Sequence, residues 1–196
     1  MFTGIITDVG RVRSVAGDSD KQFTLETAYD LSTVEIGASI ACNGVCLTVV
    51  EKGADYFGAD VSDVTISVTN AYSWTVDSEI NLERSLKLGD ELGGHIVTGH
   101  VDCVGKITRF DEVGDSIVMN ISVPAEHRHL VAEKGSVTVN GVSLTVNAVT
   151  DTADACDFSI NLIPHTQSVT NFRTGKLGDV INIEFDVLAR YVSRLQ

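Results

Sequence analysis

The sequence predicts an all-β protein made of two tandem six-stranded Greek-key barrels, followed by an α-helix at the C-terminus. The phrase GASIACNGVCLTV, which begins at Gly37, is nearly repeated as KGSVTVNGVSLTV from Lys134. A repeat period near half the chain length indicates two copies of one domain rather than a solenoid. Each copy offers about six short segments rich in Val, Ile and Thr, separated by turn signals. A sheet of that size has exposed edges unless it closes, which favours a barrel.

The strands follow in order from further repeated blocks. Phe2–Val12 (FTGIITDVGRV) matches Val97–Ile107 (VTGHVDCVGKI), and Ile80–Glu83 (INLE) matches Ile181–Glu184 (INIE). The clearest strand sequences are SIACNGVCLTVVEK in the first copy and SIVMNISVPA, SVTVNGVSLTVNAV and DFSINLI in the second. All of them are rich in β-branched residues and are bounded by turns.

The repeats divide the chain into residues 1–97, residues 98–186 and a terminal segment, residues 187–196. Helical patterns are few. The segment AEHRHLVAEK, which follows Pro124, predicts a short helix, and DVLARYVSRLQ predicts the terminal one.

Composition and charge narrow the function classes. Of the 196 residues, 43% are hydrophobic, 21% are charged and two are proline, which predicts a folded chain. The formal net charge of −13 argues against a nucleic-acid partner, because such proteins need a positive surface. The start, MFTGIITDVG, has neither a basic region nor an apolar run typical of a secretory signal. No stretch is long enough to span a membrane, so we expect a cytoplasmic protein.

The chain contains four cysteines, Cys42, Cys46, Cys103 and Cys156. Cys42 and Cys46 lie four positions apart, but no second close pair follows, so a structural zinc site is poorly supported. We therefore predict no metal site and expect ordinary thiols, either buried or lining a pocket.

Six motifs follow one another along the chain: MFTGI, NGVCLTV, NLERSLKLGDELGGHIVTGHVD, NGVSLTV, LIPHT and NIEFDVLARYV. The set spans the whole chain and resembles the α-type riboflavin synthases. The resemblance implies a homotrimer of two-barrel subunits, with the terminal helix serving trimerisation, and no cofactor. It also implies association with lumazine synthase.

The reaction implied by the resemblance explains why the sequence is duplicated. Two molecules of 6,7-dimethyl-8-ribityllumazine exchange a four-carbon unit, which gives riboflavin and 5-amino-6-(D-ribitylamino)uracil. A dismutation needs two copies of one substrate held face to face, and two similar barrels supply two similar pockets. In the family, the working site forms between the N-terminal barrel of one subunit and the C-terminal barrel of its neighbour.

Cys46 and Ser143 occupy the same position in the two repeated phrases. The resemblance implies that Ser143 helps to position a nucleophile, water, at one lumazine and that Cys46 contacts the other. The alternative is that both are merely small strand residues. Asp186 aligns with Ser85, so only the second copy has a carboxylate there. It is expected to orient the water or take a proton, unless it is a solvated charge at a strand end.

His95 and His100 lie in the segment that joins the two copies, beside Gly93 and Gly94. We expect His100 to lie next to the bound lumazine, as a hydrogen-bond partner or proton shuttle, because histidine titrates near neutral pH. For His95, a structural role in fixing the interdomain turn is the simpler interpretation.

Further substrate contacts are expected at equivalent places in both copies. Thr48 and Thr145 follow Cys46 and Ser143 by two residues, which places each on the same face of its strand. Their hydroxyl groups suit the pyrimidine edge, although threonine is also simply a common strand residue. The resemblance implies that Lys134 meets the ribityl chain or the lumazine of the second site; otherwise it is an exposed loop lysine.

The resemblance also places the N-terminal residues at the substrate. Phe2 is expected to pack over the site, and Thr3 is expected to form a hydrogen bond there. The remaining substrate-binding residues implied are Ile163 and Thr166 in the second copy and Asp60, Ser62 and Thr65 in the first. One departure from the family pattern is Val64, which stands where the family often has glutamate.

Two alternatives remain at the level of the sequence. One is a non-catalytic lumazine- or flavin-binding protein with the same fold, and the other is an unrelated tandem-barrel protein. A flavin reductase is disfavoured, because no G-x-G-x-x-G motif opens a helix and no residues remain for a nucleotide domain.

Overall fold

The computed structural model describes residues 1–195, and within that range the chain forms thirteen strands and three α-helices. The first six strands form a closed antiparallel barrel in the order β1-β2-β5-β4-β3-β6. Their bounds are β1 (Asp8–Ala16), β2 (Lys21–Glu26), β3 (Ser39–Cys42), β4 (Val45–Lys52), β5 (Tyr56–Val61) and β6 (Glu79–Arg84).

The second copy forms a curled antiparallel sheet of seven strands within the described residues, in the order β10-β9-β13-β7-β8-β12-β11. Their bounds are β7 (Cys103–Val113), β8 (Ser116–Pro124), β9 (Ser136–Val139), β10 (Val142–Thr145), β11 (Ala148–Asp151), β12 (Ala155–Leu162) and β13 (Val180–Phe185). The predicted all-β class with two repeats is confirmed. The strand count of six is wrong for the second copy, and its sheet, unlike the first, ends in two edge strands, β10 and β11, instead of closing by hydrogen bonds; this curled sheet is called the second barrel below.

The extra strand arises because the counterpart of β4 is divided into β10 and β11 at Val146 and Asn147. The first barrel has only an irregularity in the β4–β5 register at Val50, the residue aligned with Asn147. Hydrogen bonds still join both neighbours at the division: the Lys134 N–H donates to the Val146 carbonyl at 2.8 Å, and the Asn147 N–H donates to the Ser159 carbonyl at 2.8 Å. Replacing a β-branched valine with asparagine weakens the strand, so a bulge becomes a break.

Two tight turns explain why the repeated phrases fold into hairpins. Asn43 and Gly44 have φ values of 45° and 80°, and Asn140 and Gly141 have 44° and 81°. Successive left-handed residues form the type I′ turn, which favours Asn-Gly and matches the twist of two antiparallel strands. The Asn-Gly dipeptides therefore fix the pairing of β3 with β4 and of β9 with β10.

Alternation along β4 separates a core face from an outer face. Val45, Leu47 and Val49 are buried inside the barrel, whereas Cys46 is half-buried and Thr48 is exposed on the outer face. Side chains two residues apart share a face of a strand, as the sequence predicts for Cys46 and Thr48. The outer face of each hairpin is thus available for a functional site.

The α-helices are short: α1 (Asp63–Val68), α2 (Pro164–Val169) and the terminal α3 (Val187–Arg194). The segment after Pro124, predicted as a short helix, is instead a 3₁₀ helix over Ala125–Leu130. Of the predicted terminal segment, Gln196 lies outside the described residues. Among residues 1–195, no helix is both long enough and apolar enough to cross a membrane.

A buried asparagine network joins the two barrels. The backbones of the two hairpin turns are in close contact. There is no room for a side chain at Gly44, since its Cβ would lie 2.8 Å from the Gly141 nitrogen. Around them, amide side chains bond across the interface; the Asn70 N–H, for example, donates to the Asn182 Oδ1 at 2.6 Å. Buried polar groups are costly unless paired, so these bonds specify one mutual orientation of the barrels. The network consists of Asn43, Asn70, Asn81, Asn140, Asn171 and Asn182.

Candidate functional site

Two short arms cross between the barrels and make equivalent backbone contacts with Cys46 and Ser143. The first arm, residues 2–5, precedes the first barrel, yet its Gly4 carbonyl accepts a 2.8 Å hydrogen bond from the Ser143 N–H of the second. The second arm, residues 97–100, precedes the second barrel, and its Gly99 carbonyl accepts a 2.8 Å bond from the Cys46 N–H of the first. The arms pair with each other as a single antiparallel bridge.

The surroundings of Cys46 are apolar. Phe2, Ala41 and Val97 form a buried cluster against which the half-buried Cys46 packs. Phe2 is fully buried, so its ring is held inside the protein beside Cys46 rather than exposed over an open site. The thiol therefore lies at the edge of a small hydrophobic patch on the outer face of β4.

The surroundings of Ser143 are polar. The His95 Nδ1 lies 2.7 Å from the Ser143 Oγ, and the His95 Nε2 lies 3.1 Å from the Thr138 Oγ1. Thr138 aligns with Ala41 in the repeat, so one position changes from a methyl group to a hydroxyl group together with the change from Cys46 to Ser143. The two copies thus share a backbone arrangement and differ in the chemistry of one cluster.

The protonation of His95 suits proton transfer. Burial lowers the pKa of His95 below its ordinary value of 6.5, and the nearby Asp186 carboxylate opposes that shift. Asp186 is half-buried and caps α3, since its Oδ1 accepts a 2.9 Å hydrogen bond from the Leu188 N–H. A neutral imidazole at pH 7 has one nitrogen free to accept a proton, and the Ser143 hydroxyl is its immediate neighbour.

The acidic limb of the activity profile is expected to reflect this environment. Catalytic efficiency should decline on the acidic side with a midpoint below pH 6.5, because burial lowers the pKa of His95 from its ordinary value of 6.5. Asp186→Asn should move the decline to still lower pH, since the carboxylate that raises the pKa is removed. The measurement is kcat/KM from about pH 5 to about pH 8, the range in which histidine titrates. Asp18→Asn, at an exposed turn, is the control; a wild-type midpoint above 6.5 would contradict the assignment.

Several predicted site residues lie exposed near these clusters. Thr48 and Thr145 are exposed on the outer faces of β4 and β10, and His100 is exposed at the end of the second arm. Lys134 is exposed and has a φ of 63°, whereas its counterpart Gly37 has 90°. The left-handed conformation costs a non-glycine residue free energy, so the Lys134 backbone is strained there.

A second group of predicted residues lies at the far ends of β5 and β12 and at the starts of the following helices. Among the described residues, no hydrogen bond joins these side chains to Cys46 or Ser143. In the first copy, Asp60 accepts from Gln22, and Ser62 caps α1. In the second, Ile163 precedes α2 and is 55% exposed. Thr65 and Thr166 are half-buried in the first turns of α1 and α2.

Thr3 differs from its predicted role as a hydrogen-bond partner of substrate. Its side chain is 4% exposed. Its hydroxyl donates to the Glu83 Oε1 at 2.8 Å and accepts from the Ile5 N–H at 3.2 Å. Thr98 makes the matching bond to Glu184 at 2.7 Å. The threonine hydroxyl groups therefore secure the arms.

Sequence reasoning gave His95 a structural role and overlooked Thr138, Glu83 and Glu184. The one sequence signal for the glutamates was the repeat itself, because INLE and INIE carry glutamate at the same position. The approach of His95 to Ser143 joins residues 48 positions apart and depends on the crossing of the arms, which no local pattern encodes.

Comparisons with known proteins agree with this architecture. The model of the lumazine binding domain family matches the chain twice, over residues 3–85 and 98–186. Among curated relatives, riboflavin synthase of Brucella abortus is 47% identical, covering 100% of this chain and 98% of its own. Riboflavin synthase of Photobacterium phosphoreum is 44% identical over 100% of this chain and 88% of its own. That of Bacillus subtilis is 37% identical over 99% and 89%.

Solved structures show the same arrangement. The crystal structure of LumP complexed with riboflavin aligns with a TM-score of 0.85 at 26% identity, covering 94% of this chain and 99% of that one. The complex of LumP with 6,7-dimethyl-8-(1′-D-ribityl) lumazine gives 0.83 at 25% identity, with the same coverage. The resemblance seen in the sequence is confirmed: the chain belongs to the riboflavin synthase family and carries two lumazine-binding domains.

Proposed function

We propose that this protein is a riboflavin synthase that dismutates two molecules of 6,7-dimethyl-8-ribityllumazine. One observation supports the proposal: Cys46 and Ser143 lie at equivalent places in the two copies, in clusters of different chemistry. Two like sites suit two identical substrates, and the difference between them suits a donor and an acceptor. Family membership over the full chain supports the same reaction.

The reaction transfers four carbons from one lumazine to the other. Breaking the donor's two ring C–N bonds leaves the diamino pyrimidinedione, and new C–C bonds build the third ring of riboflavin. The two products contain all the atoms of the two substrates, so the net equation needs neither an oxidant nor a reductant. The protein's main contribution is to hold two planar molecules in the productive orientation, where effective concentration lowers the barrier.

Ser143, His95 and Asp186 supply acid–base chemistry at the second site. In this proposal the Ser143 hydroxyl and the Asp186 carboxylate orient a water molecule towards the electrophilic ring carbon of the bound lumazine. Neutral His95 accepts a proton through Ser143, as the 2.7 Å contact allows. At the first site, Cys46 contacts the other lumazine, and His100 acts as a hydrogen-bond partner or proton shuttle.

The remaining substrate contacts are proposed from where the residues lie in the two barrels. Thr48 with Asp60, Ser62 and Thr65 would hold one lumazine, and Thr145 with Lys134, Ile163 and Thr166 would hold the other. What supports them is their equivalent placement in the two barrels and their exposure, since all are exposed or half-buried. Phe2 and Thr3 act from behind the site, by packing and by securing the first arm.

We further propose that the working site forms between subunits of a homotrimer. The supporting observation is exposure: Thr48, His100 and Thr145 lie open on the surface of one chain. The terminal segment 187–196 would serve assembly, because Leu188, Tyr191 and Val192 on α3 are more than half exposed, at 65%, 68% and 57%. In this proposal residues 1–97 and 98–186 form the two substrate-binding domains.

Location and association complete the proposal. The four cysteines are free and three of them are buried, which suits a reducing cytoplasm. Association with lumazine synthase is proposed from the family resemblance, because that enzyme makes the substrate.

Lys134→Gly is expected to separate stability from binding. The change relieves the left-handed strain and should stabilise the fold by about 0.5–1 kcal/mol, which raises Tm by roughly 1–4 °C. It should also raise KM, because the ammonium group that meets the substrate is lost. Asp77→Gly is a matched control, since Asp77 has a φ of 71° and aligns with Gly178. The control should gain stability with KM unchanged; an unchanged KM in Lys134→Gly would remove Lys134 from the site.

The proposed function is tested with pure protein and 6,7-dimethyl-8-ribityllumazine as the sole addition. Riboflavin and the diamino pyrimidinedione should appear in equal amounts while two lumazines disappear for each riboflavin formed. Tight lumazine binding without turnover would instead identify a non-catalytic chromophore-binding protein, the function for which the LumP complexes provide the precedent in this fold.

A further inference from the structure

Two buried glutamates hold the crossing arms with matching geometry. The Glu83 carboxylate accepts from the Thr3 N–H at 2.7 Å, the Thr3 hydroxyl at 2.8 Å and the Gly4 N–H at 2.9 Å. The Glu184 carboxylate accepts from the Thr98 N–H at 2.7 Å, the Thr98 hydroxyl at 2.7 Å and the Gly99 N–H at 2.9 Å. The side chains are only 4% and 2% exposed.

A carboxylate is an unusual choice for such a place. Burying a charge is costly unless it is hydrogen-bonded, and burial raises the pKa of Glu83 while the bonds from Thr3 and Gly4 lower it. Only a side chain with two acceptor oxygens can receive two consecutive backbone N–H groups and a hydroxyl at once. The geometry therefore fixes the direction of each arm, rather than merely filling space.

Each arm ends on a site residue of the opposite barrel. Glu83 belongs to β6 of the first barrel, but the Gly4 it holds touches Ser143 of the second; a Cβ on Gly4 would lie 2.6 Å from the Ser143 Cβ. Gly99 stands in the same relation to Cys46, also at 2.6 Å. Both glycines are left-handed, with φ of 77° and 79°, so the arms approach these residues as closely as a backbone can.

We propose that Glu83 and Glu184 are positioning residues that act crosswise: Glu184 of the second barrel arranges the first site, and Glu83 of the first barrel arranges the second. The inference rests on the proposed function for the identity of the sites. Glu184 orients Gly99, which fixes the backbone of Cys46, and it directs the following residue, His100. Glu83 orients Gly4, which fixes the backbone of Ser143.

If Glu83 and Glu184 had only a general structural role, their substitution would affect the two sites in a different pattern from the crossed one. If the glutamates only stabilise their own barrels, each substitution should disturb both sites equally or disturb the nearer barrel. In the crossed arrangement, Glu184→Gln disturbs Cys46 in the other barrel and spares Ser143. Glutamine keeps the shape of glutamate, but its amide group cannot accept from two N–H donors with both terminal atoms.

The first measurement is the alkylation rate of Cys46. It does not require turnover, so it tests the proposal even if the proposed function is wrong. Among the four cysteines, only Cys46 is not buried, so the alkylation rate of the folded protein reports on Cys46. Glu184→Gln should change that rate at least about three-fold, the size expected for directly coupled residues. Glu83→Gln should change it less, because the first arm meets Cys46 only through the packing of Phe2. Equal effects of both variants, or an effect of Glu83→Gln alone, would overturn the proposal.

The second readout is coupling in catalysis. In double-mutant cycles on kcat/KM, Glu184→Gln should be non-additive with Cys46→Ala, again by about three-fold or more, and additive with Ser143→Ala. Glu83→Gln should show the reverse pattern. If Glu184→Gln fails to fold, Thr98→Val takes its place in the cycles, and Thr3→Val takes the place of Glu83→Gln. Each of these variants removes one hydrogen bond from the carboxylate concerned. Additivity of all four pairs, or coupling within rather than across barrels, would overturn the crossed assignment.

Discussion

Ser143→Ala is expected to lower kcat by about 10²-fold or more, the usual contribution of a positioned acid–base group. The substitution removes the hydroxyl that lies 2.7 Å from His95 and leaves the imidazole without a route to substrate. Lumazine affinity should change much less, because the proposed binding contacts lie at other residues. The measurements are kcat from steady-state turnover and Kd from lumazine fluorescence.

Three further variants sharpen this prediction. Asp186→Ala should also lower kcat, and in Ser143→Ala/Asp186→Ala the two losses should not multiply if both groups act on one water molecule. Ser14→Ala, at an exposed position on β1, is the matched control and should keep the wild-type rate. A Ser143→Ala variant with nearly full kcat would show that the repeat difference at this position is strand filler.

Asn182→Ala is expected to destabilise the protein by about 2–6 kcal/mol, since it takes a hydrogen bond from the Asn43 carbonyl and from the Asn70 N–H at roughly 1–3 kcal/mol each, while the Asn70 Oδ1 keeps its bond from the Trp74 Nε1–H. Asn182 is 1% exposed. Its amide nitrogen donates to the Asn43 carbonyl at 2.9 Å and to the Asn70 Oδ1 at 2.9 Å, and its Oδ1 accepts from the Asn70 N–H at 2.6 Å. For a chain of this size the change corresponds to a loss of roughly 4–24 °C in Tm.

The pseudo-symmetry of the molecule supplies the comparison for this experiment. Asn81, the counterpart of Asn182, makes two side-chain bonds, to the Asn140 carbonyl at 3.0 Å and from the Asn171 N–H at 2.7 Å, so Asn81→Ala should cost less. Asn161→Ala, at an exposed position on β12, should cost almost nothing. Equal Tm values for the three variants would show that the network does not hold the barrels together.

The fold could be predicted because its strongest signals are local. Asn43-Gly44 and Asn140-Gly141 encode type I′ turns wherever they occur, and the alternation around Cys46 encodes a strand with one buried face. The equivalence of Cys46 and Ser143 in the two copies followed from the repeat alone. The division of the fourth strand at Asn147 did not follow, because a single weak strand former inside a strongly β-branched segment is ordinarily tolerated.

The part of the site that could not be predicted depends on contacts between distant segments. His95 looked like a turn residue because its partners, Thr138 and Ser143, come from a hairpin that begins about forty positions later. Glu83 and Glu184 looked like charges on a strand, and their burial is possible only because the arms bring donors to them. Polar residues that are buried and fully bonded leave no periodic signal, since the sequence shows the group but not its partners.

The central claim, that two identical lumazines exchange four carbons at paired sites, is tested most directly with isotopic label. An equal mixture of unlabelled substrate and substrate carrying carbon-13 in the four transferable carbons is converted, and the riboflavin is analysed by mass. We predict riboflavin with no labelled unit, with one and with two, the singly labelled form being the most abundant, together with unlabelled pyrimidinedione. Riboflavin that never contains two labelled units would show that its new ring does not draw on two lumazines, and the account would be wrong.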